Sequence, residues 1–203
     1  MSNFVVCIFA TRDTAYTSIA ETTIIPSLKE FNISYSYSVV PNLGSWNKNT
    51  SYKATFALEM LNKYPTSNIV LLDVDCKIAS YPHLFDAIPD NFNVAAHVLD
   101  WATWYQNGTT TKEFLTGTLF LRNSERTRLL VQQWIDDCAK DINSWEQKVL
   151  ANVLVRNQEK ILVLPLEYCY INSLPDGRQP NIIVEKPVIF HYQASRELKR
   201  TLK

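Results

Sequence analysis

The sequence predicts an α/β fold with three layers, in which a mostly parallel central sheet is flanked by helices. Short strand-like runs alternate with helical patterns along the chain, and the run at 68–75 is apolar almost throughout. No repeat, low-complexity tract or interdomain linker interrupts this order. Strands that alternate with helices form parallel sheets, and strands covered on both faces are continuously apolar. Ligands of such sheets bind beyond the carboxyl ends of the strands.

Strands are predicted where β-branched and aromatic residues run together or alternate with polar ones. The N-terminal run FVVCIFA is of the buried kind, and ISYSYSVV alternates like a half-buried strand. In chain order, the predicted strands cover residues 4–10, 33–40, 68–75, 92–99, 117–123, 160–165 and 187–192.

Helices are predicted where apolar side chains recur every three or four residues. Pro26 is expected to bend the first helix, because proline lacks the N–H that the helix needs. A loop rich in turn formers, 41–49, precedes the second helix. The third helix is expected to bury Leu129, Leu130, Trp134 and Ile135 on one side. The predicted helices cover residues 17–31, 51–64, 124–140 and 144–157.

Composition and charge argue against several classes of protein. The 203 residues suit one domain, predicted to span 1–203. The 20 basic and 20 acidic residues cancel, so no overall field attracts nucleic acid or an anionic membrane. The N-terminal apolar run has only seven residues, too few to cross a bilayer. Only the C-terminal stretch SRELKRTLK is basic, and it is expected to be a solvated helical end.

The four cysteines indicate a reducing compartment. They are widely spaced and form no C-x-x-C pair, a usage typical of free thiols rather than of a disulfide framework. We therefore expect a cytoplasmic protein.

Two aspartates, Asp73 and Asp75, close the third predicted strand. Alternate residues of a strand point to one face, so these carboxylates are expected side by side. At ~4 Å and an effective dielectric of about 20, they would repel by roughly 4 kcal/mol. A proton, a cationic side chain or a metal ion could offset this cost. Carboxylates near a ligand crevice suit Mg²⁺ or Mn²⁺, and His191, at the end of a late strand, is a candidate third ligand.

The order of these motifs resembles that of GT-A type glycosyltransferases, especially the glycogenin-like and galactosyltransferase-like branch. The resemblance spans Phe4 to about Arg196, and small single-domain versions occur in bacteria, phages and large DNA viruses. It rests on LLDVD (71–75), TGTLFLRNS (116–124), a W-E-Q helix start (145–147) and a late H-Y (191–192).

The resemblance implies a metal-dependent enzyme that transfers a hexose, glucose or galactose, from a UDP-sugar to a hydroxyl of a glycan or protein, with retention. Its partners would be the donor and the acceptor, without nucleic acid and without a membrane span. A viral source would place it in the host cytoplasm.

The resemblance also implies roles for individual residues. Lys53 would present a cation to the nucleotide, although a solvated helix lysine is the equal alternative. The implied metal ligands for Mn²⁺ or Mg²⁺ are Asp73, Asp75 and His191. The implied nucleotide-binding residues are Ala10, Thr11, Arg12, Lys53, Asp73 and Val74.

The transferred sugar would meet a second set of residues. Glu146 and Gln147 correspond to an Asp-Gln pair near the reacting anomeric carbon, and Asp100 is added as a candidate for a sugar hydroxyl and for catalysis. Glu146 and Thr116 depart from the usual residues of the family, which leaves the identity of the sugar open. The implied sugar-binding residues are Asp100, Trp101, Thr116, Gly117 and Thr118, and Trp104 and Tyr105 would stack on a sugar or pack the sheet.

Three other functions stay open at this point. A nucleotidyltransferase would need a glycine-rich phosphate loop after the first strand, and FATRDTAY contains no glycine. A phosphatase could use Asp73 as nucleophile and Asp75 as acid. A non-catalytic module could bind a nucleotide-sugar or a glycan without reaction.

Overall fold

The central sheet has six strands and is mostly parallel, as predicted. It is seen in a computed structural model that describes residues 3–105, 110–171, 180 and 182–194. The strands are β1 (Phe4–Thr11), β2 (Tyr35–Val40), β3 (Asn68–Leu72), β5 (Val94–Asp100), β6 (Lys112–Leu121) and β7 (Ile161–Val163). They lie in the order β2-β1-β3-β6-β5-β7, and β6 alone runs against the others.

A second, three-stranded sheet lies beside the first. Its strands are β4 (Cys76–Ile78), β8 (Tyr170–Ile171) and β9 (Ile189–His191), in the order β4-β9-β8. Cys76 pairs with His191 across β4 and β9. This pairing brings the late histidine to the segment that follows Asp75.

The helices lie on both faces of the central sheet. They are α1 (Ala15–Ile19), α2 (Ile25–Glu30), α3 (Trp46–Lys63), α4 (Trp101–Tyr105), α5 (Glu125–Lys140) and α6 (Glu146–Arg156), with short 3-10 turns at His83–Asp86 and Leu166–Tyr168. Helices α3, α5 and α6 pack against one another. No helix among the described residues is long and apolar enough to cross a bilayer.

Strand alternation divides the core between the two faces of the sheet. Ile69 and Leu71 of β3 pack into the core beneath α3, α5 and α6, whereas Val70 and Leu72 pack into the core beneath α2. A strand with apolar contacts on both faces needs a continuously apolar sequence. The three-layer prediction is therefore confirmed.

The first predicted helix is interrupted, as Pro26 led us to expect. A π-helical turn, Ala20–Ile24, separates α1 from α2, and Pro26 lies in the first turn of α2. Proline lacks an N–H and its ring clashes with an earlier carbonyl group of a regular helix, and a π-helical turn before it accommodates both effects.

Several predicted boundaries were wrong. Helix α3 begins at Trp46, because Ser45 caps it by accepting a hydrogen bond from Lys48 N at 3.3 Å. The Asn, Gly and Ser residues before it had suggested a loop to 49. Strand β6 begins at Lys112 instead of 117, and β3 ends at Leu72 instead of 75. The basic C-terminal stretch lies outside the described residues.

The four cysteines are free and buried, as their spacing predicted. Burial raises the pKa of the Cys7 thiol to about 12 and that of the Cys138 thiol to about 11. Because the thiolate is the reactive form, these two thiols are unreactive residues of the core.

Helix α5 offers a matched pair of leucines. Leu130 is 1% exposed, as predicted. Leu129 is 54% exposed, so the prediction that it is buried was wrong. We expect Leu130→Ala to lower the free energy of unfolding by about 2–5 kcal/mol, because it leaves a core cavity. Leu129→Ala should change it by less than about 0.5 kcal/mol. Urea unfolding followed by circular dichroism measures both, and equal losses would contradict the packing described.

Candidate active site

A cavity of about 400 Å³ opens at the carboxyl ends of β1 and β3. Its walls come from the segments that follow those strands, from the first turns of α3 and α6, from the first half of β6 and from the end of β9. The predicted site residues in its lining are Ala10, Thr11, Lys53, Asp73, Val74, Asp75, Thr116, Gly117, Glu146, Gln147 and His191.

The reversed direction of β6 explains how mid-strand residues reach this cavity. Leu72, the last residue of β3, pairs with Thr118. Asp73 N then donates a hydrogen bond to the carbonyl oxygen of Gly117 at 3.0 Å. Because β6 is antiparallel, its earlier residues, including Thr116, extend past the end of β3.

Asp73 and Asp75 lie in a turn rather than on a strand. The Cys76 thiol closes this turn by donating to the Asp73 carbonyl oxygen at 2.8 Å. The prediction that both acids belong to the strand was therefore wrong, although both line the same cavity. The two carboxylates have different partners: Asp73 Oδ1 lies 2.7 Å from Lys53 Nζ, and Asp75 Oδ2 accepts from Ala194 N at 2.7 Å.

Lys53 is a buried cation between two acids. Its ammonium lies 2.7 Å from Asp73 Oδ1 and 3.5 Å from Glu146 Oε1, and it donates to the Thr116 carbonyl oxygen at 3.3 Å. Burial lowers the pKa of Lys53, but the charges of Asp73 and Glu146 outweigh burial and raise it. The alternative of a solvated helix lysine was wrong.

The two aspartates differ in pKa. Burial raises the pKa of Asp73, but Lys53 and then His191 outweigh it and hold that pKa below its ordinary value. Burial and the nearby charge of Asp73 raise the pKa of Asp75 to about 6. The cost of the acidic pair is therefore offset by a lysine at one carboxylate and by easier protonation of the other.

Glu146 and Gln147 are held by separate partners at the start of α6. Thr116 Oγ1 donates to Glu146 Oε1 at 2.7 Å, and the Trp134 indole N–H donates to the Glu146 carbonyl oxygen at 2.8 Å. The Gln147 amide donates to Glu113, whose other carboxylate oxygen accepts from the Trp101 indole at 2.8 Å.

His191 and Gly117 shape the wall beside Asp73. His191 is buried, its Nε2 lies 2.9 Å from Thr118 Oγ1, and burial lowers its pKa to about 4, so the ring is neutral at neutral pH. A Cβ at Gly117 would lie 3.0 Å from both Asp73 Oδ2 and His191 Cε1. Glycine therefore keeps open the space between the carboxylate and the imidazole.

The carboxylates of Asp73 and Asp75 fit a divalent ion whose remaining coordination positions are filled by a bound substrate. Among the described residues, no cluster of three or more His, Cys, Asp or Glu side chains is arranged to hold a metal. Mg²⁺ is commonly held by one or two carboxylates together with substrate phosphates instead of a protein cage. Asp73 and Asp75 with an open space beside them suit that arrangement, and the three-ligand set with His191 stays a prediction.

Four predicted site residues do not line the cavity. The Asp100 carboxylate accepts from Ala102 N at 2.9 Å, which caps α4. Thr118 is fully buried behind His191, Trp101 is bonded to Glu113, and Arg12 is exposed. Their predicted contacts with substrate stay predictions.

Trp104, which was predicted to stack on a sugar or to pack the sheet, lines the cavity, and the side chain of Tyr105 is outside the described residues. Residues that were not predicted complete the lining. Trp145 carried a usable signal, because it directly precedes the Glu-Gln pair. Glu113 carried none, since it reaches the cavity only through the reversed strand β6. The other unpredicted residues are Phe9, Thr14, Tyr16, Trp46, Asn49, Thr50, Leu72, Leu99, Leu115, Cys169, Ile171 and Gln193.

Comparison with solved structures shows which known proteins share this fold. No family model and no curated protein matches the sequence. Solved structures do: the chain resembles a glycosyltransferase involved in the glycosylation of the major capsid of PBCV-1, with a TM-score of 0.68 at 12% identity, covering 98% of this chain and 99% of that one.

Two further solved structures share the fold. Mouse xyloside xylosyltransferase 1 has a TM-score of 0.56 at 11% identity, covering 95% of this chain and 98% of that one. The glycosyltransferase GlyE of Streptococcus pneumoniae TIGR4 has a TM-score of 0.61 at 15% identity, covering 95% of this chain but 55% of its own. The predicted resemblance to GT-A type glycosyltransferases is confirmed at the level of the fold.

Removing the buried ammonium should destabilise the protein. We expect Lys53→Met to lower the free energy of unfolding by about 3 kcal/mol, because it leaves Glu146 buried without its cation. The double variant K53M/E146Q should lose less than K53M alone, since the buried charge is then gone. Urea unfolding of both variants measures this coupling.

Lys48→Met is the matched control, because Lys48 is an exposed lysine of the same helix. We expect it to change the free energy of unfolding by less than about 0.5 kcal/mol. A double variant less stable than K53M would contradict the ion pair.

Proposed function

We propose that this chain is a glycosyltransferase that transfers a hexose, glucose or galactose, from a UDP-sugar to a hydroxyl group of a glycan or protein. The observation that carries the proposal is the buried network of Lys53, Asp73 and Glu146 in the wall of the cavity. That network lies at the strand ends where α/β sheets bind ligands, in a fold shared with glycosyltransferases.

The charge of the cavity supports a need for a divalent cation. Its described lining contains the acids Asp73, Asp75, Glu113 and Glu146 and one cationic side chain, Lys53, while the His191 ring is neutral. A nucleotide diphosphate adds further negative charge, which one ammonium cannot balance. When bound at Asp73 and Asp75, Mn²⁺ or Mg²⁺ would stabilise the departing diphosphate as a Lewis acid.

The side chains around that position support the same assignment. Lys53 keeps Asp73 ionised and adds a positive charge near the leaving group. The low pKa of His191 leaves its ring neutral, which is the form that ligates metals. Gly117 allows Asp73 and His191 to approach each other closely, since a Cβ at this position would lie 3.0 Å from both side chains. Ala10, Thr11 and Val74 line the wall that we assign to the nucleotide.

We assign Glu146 and Gln147 to the transferred sugar. Positive charge develops at the anomeric carbon during transfer, so a nearby carboxylate and amide oxygen stabilise it. Glu146 already accepts from Thr116 and pairs with Lys53, which makes it a poor free nucleophile. We therefore favour retention through a front-side route over a covalent intermediate on Glu146.

We further propose that the protein is cytoplasmic, and that it is located in the host cytoplasm if its source is viral. It rests on the free, buried cysteines, a usage typical of reducing compartments.

Binding of UDP should depend on both a metal and Asp75. We expect UDP with Mn²⁺, at about 100 times its dissociation constant, to stabilise the protein by about 2.7 kcal/mol and to raise Tm by roughly 5–10 °C. UDP without a divalent ion should raise Tm much less. Thermal shift assays with and without chelator measure the difference.

Asp75→Asn should abolish the shift, because the amide is a far weaker ligand of hard cations. Asp136→Asn, at an exposed acid of α5, is the control and should retain the full shift. The binding assignment fails if wild-type protein shows no response to UDP in the presence of Mn²⁺.

Glu146→Gln should slow transfer while leaving UDP binding intact. We expect a loss of about 100-fold or more in kcat, since one preorganised charge at the reacting carbon is removed. Glu125→Gln is the matched control, because Glu125 begins α5 as Glu146 begins α6 but is exposed. Release of UDP from UDP-glucose and UDP-galactose measures the rates.

The anomeric configuration of the product tests the proposed retention of configuration. NMR of the anomeric proton should show the same configuration as in the donor, and an inverted linkage would contradict retention. A wild-type rate in E146Q would remove Glu146 from the reaction.

A further inference from the structure

Two tryptophans meet at the rim of the cavity. Trp46 begins α3, Trp145 directly precedes α6, and both line the cavity. They are 38% and 43% exposed, and their ring centroids lie 6.3 Å apart with the ring planes at 79°. Tryptophan is one of the residues that contribute most to binding energy at interfaces, so an exposed pair beside a cavity indicates a binding surface.

The geometry of this tryptophan pair is held by its surroundings. Ser45 caps the helix that Trp46 begins, and the Asn47 amide donates to the Asn143 carbonyl oxygen at 2.9 Å, which ties the two loops together. The Lys148 ammonium lies 4.5 Å from the centroid of the Trp145 ring. Rings held in place before a ligand arrives lose less entropy when it binds.

We propose that Trp46 and Trp145 form the acceptor-sugar site, which binds a pyranose ring of the acceptor glycan. This inference rests on the proposed transferase function. A pyranose presents a face of C–H groups, which packs against an indole, and a rim of hydroxyl groups. Gln147, Glu113 and Thr50 line the same cavity and offer hydrogen-bonding groups to such hydroxyls.

The angle between the rings favours a sugar over a nucleobase. Planar bases stack best on a parallel aromatic face, whereas two nearly perpendicular indoles form a corner without a parallel slot. A puckered ring with C–H groups on several sides fits a corner. The pair also lies next to Glu146 and Gln147, to which we assign the reacting carbon, so an acceptor hydroxyl bound here is near the sugar to be transferred.

Ligand-observed NMR on the whole chain tests the proposal. Saturation transfer is measured to the methyl glycosides of glucose, galactose, mannose and xylose, with UDP and Mg²⁺ present so that the nucleotide side is filled. Mg²⁺ replaces Mn²⁺ because it is not paramagnetic. We expect saturable binding of at least one glycoside to the wild type.

Substitutions then locate the binding. The double variant W46A/W145A should weaken glycoside binding about tenfold or more, and W46F/W145F should retain most of it because phenyl rings still stack. The matched control is L43A/I142A, which removes exposed apolar side chains from the same two loops outside the cavity lining and should bind like the wild type. Near-ultraviolet circular dichroism checks that each variant is folded.

The outcomes separate this proposal from the transferase assignment. Glycoside binding that W46A/W145A removes supports a sugar site even if no UDP-sugar is turned over. Absence of glycoside binding in the wild type, or equal binding in W46A/W145A, overturns the acceptor site even if transfer to another acceptor is found. A loss of UDP binding without a loss of glycoside binding would assign the pair to the nucleotide base instead.

Discussion

The candidate site depends on one buried interaction, the ammonium of Lys53 between Asp73 and Glu146. It joins α3, the turn after β3 and the start of α6, three segments that are far apart in the chain. A buried ion pair is a poor source of net stability, because desolvation consumes most of the attraction. Its presence in the wall of the cavity is better explained by its effect there, which is to hold Asp73 ionised among other acids.

The reversed strand β6 is the second constraint. If β6 were parallel to β3, its first residues, including Thr116 and Gly117, would lie at the opposite end of the strands, away from the acids. Reversal carries the start of β6 past the end of β3, so a backbone hydrogen bond fixes Gly117 against Asp73. The hydroxyl of Thr116 can then reach both Lys53 and Glu146. The polar network therefore depends on strand direction as much as on residue identity.

The sequence predicted the parts that local patterns determine. The apolar run 68–72, the interruption near Pro26 and the place of the acids beyond a core strand follow from periodicity and from proline chemistry. The ends of elements could not be predicted, because the Ser45 cap and the turn closed by Cys76 depend on single hydrogen bonds. The place of Glu113 in the cavity depends on the pairing of β5 with β6, and no local pattern encodes that pairing. The Asp100 cap, in contrast, is a local contact with Ala102 N that an Asp before a short helix could have suggested.

The cavity has two chemically different sides, and this difference bears on the order of events. The side near Asp73, Asp75 and Lys53 is charged and is the side that we assign to the nucleotide and its cation, whereas the side near Trp46 and Trp145 is aromatic, with the Lys148 ammonium beside the Trp145 ring. A neutral sugar gains little from the charged side and a diphosphate gains little from the indoles. On the proposed assignment the two ligands would therefore occupy different positions in a cavity that the start of α6, with Glu146 and Gln147, also lines. Filling the charged side first would bring the reacting carbon of the donor next to the aromatic corner where an acceptor hydroxyl can arrive.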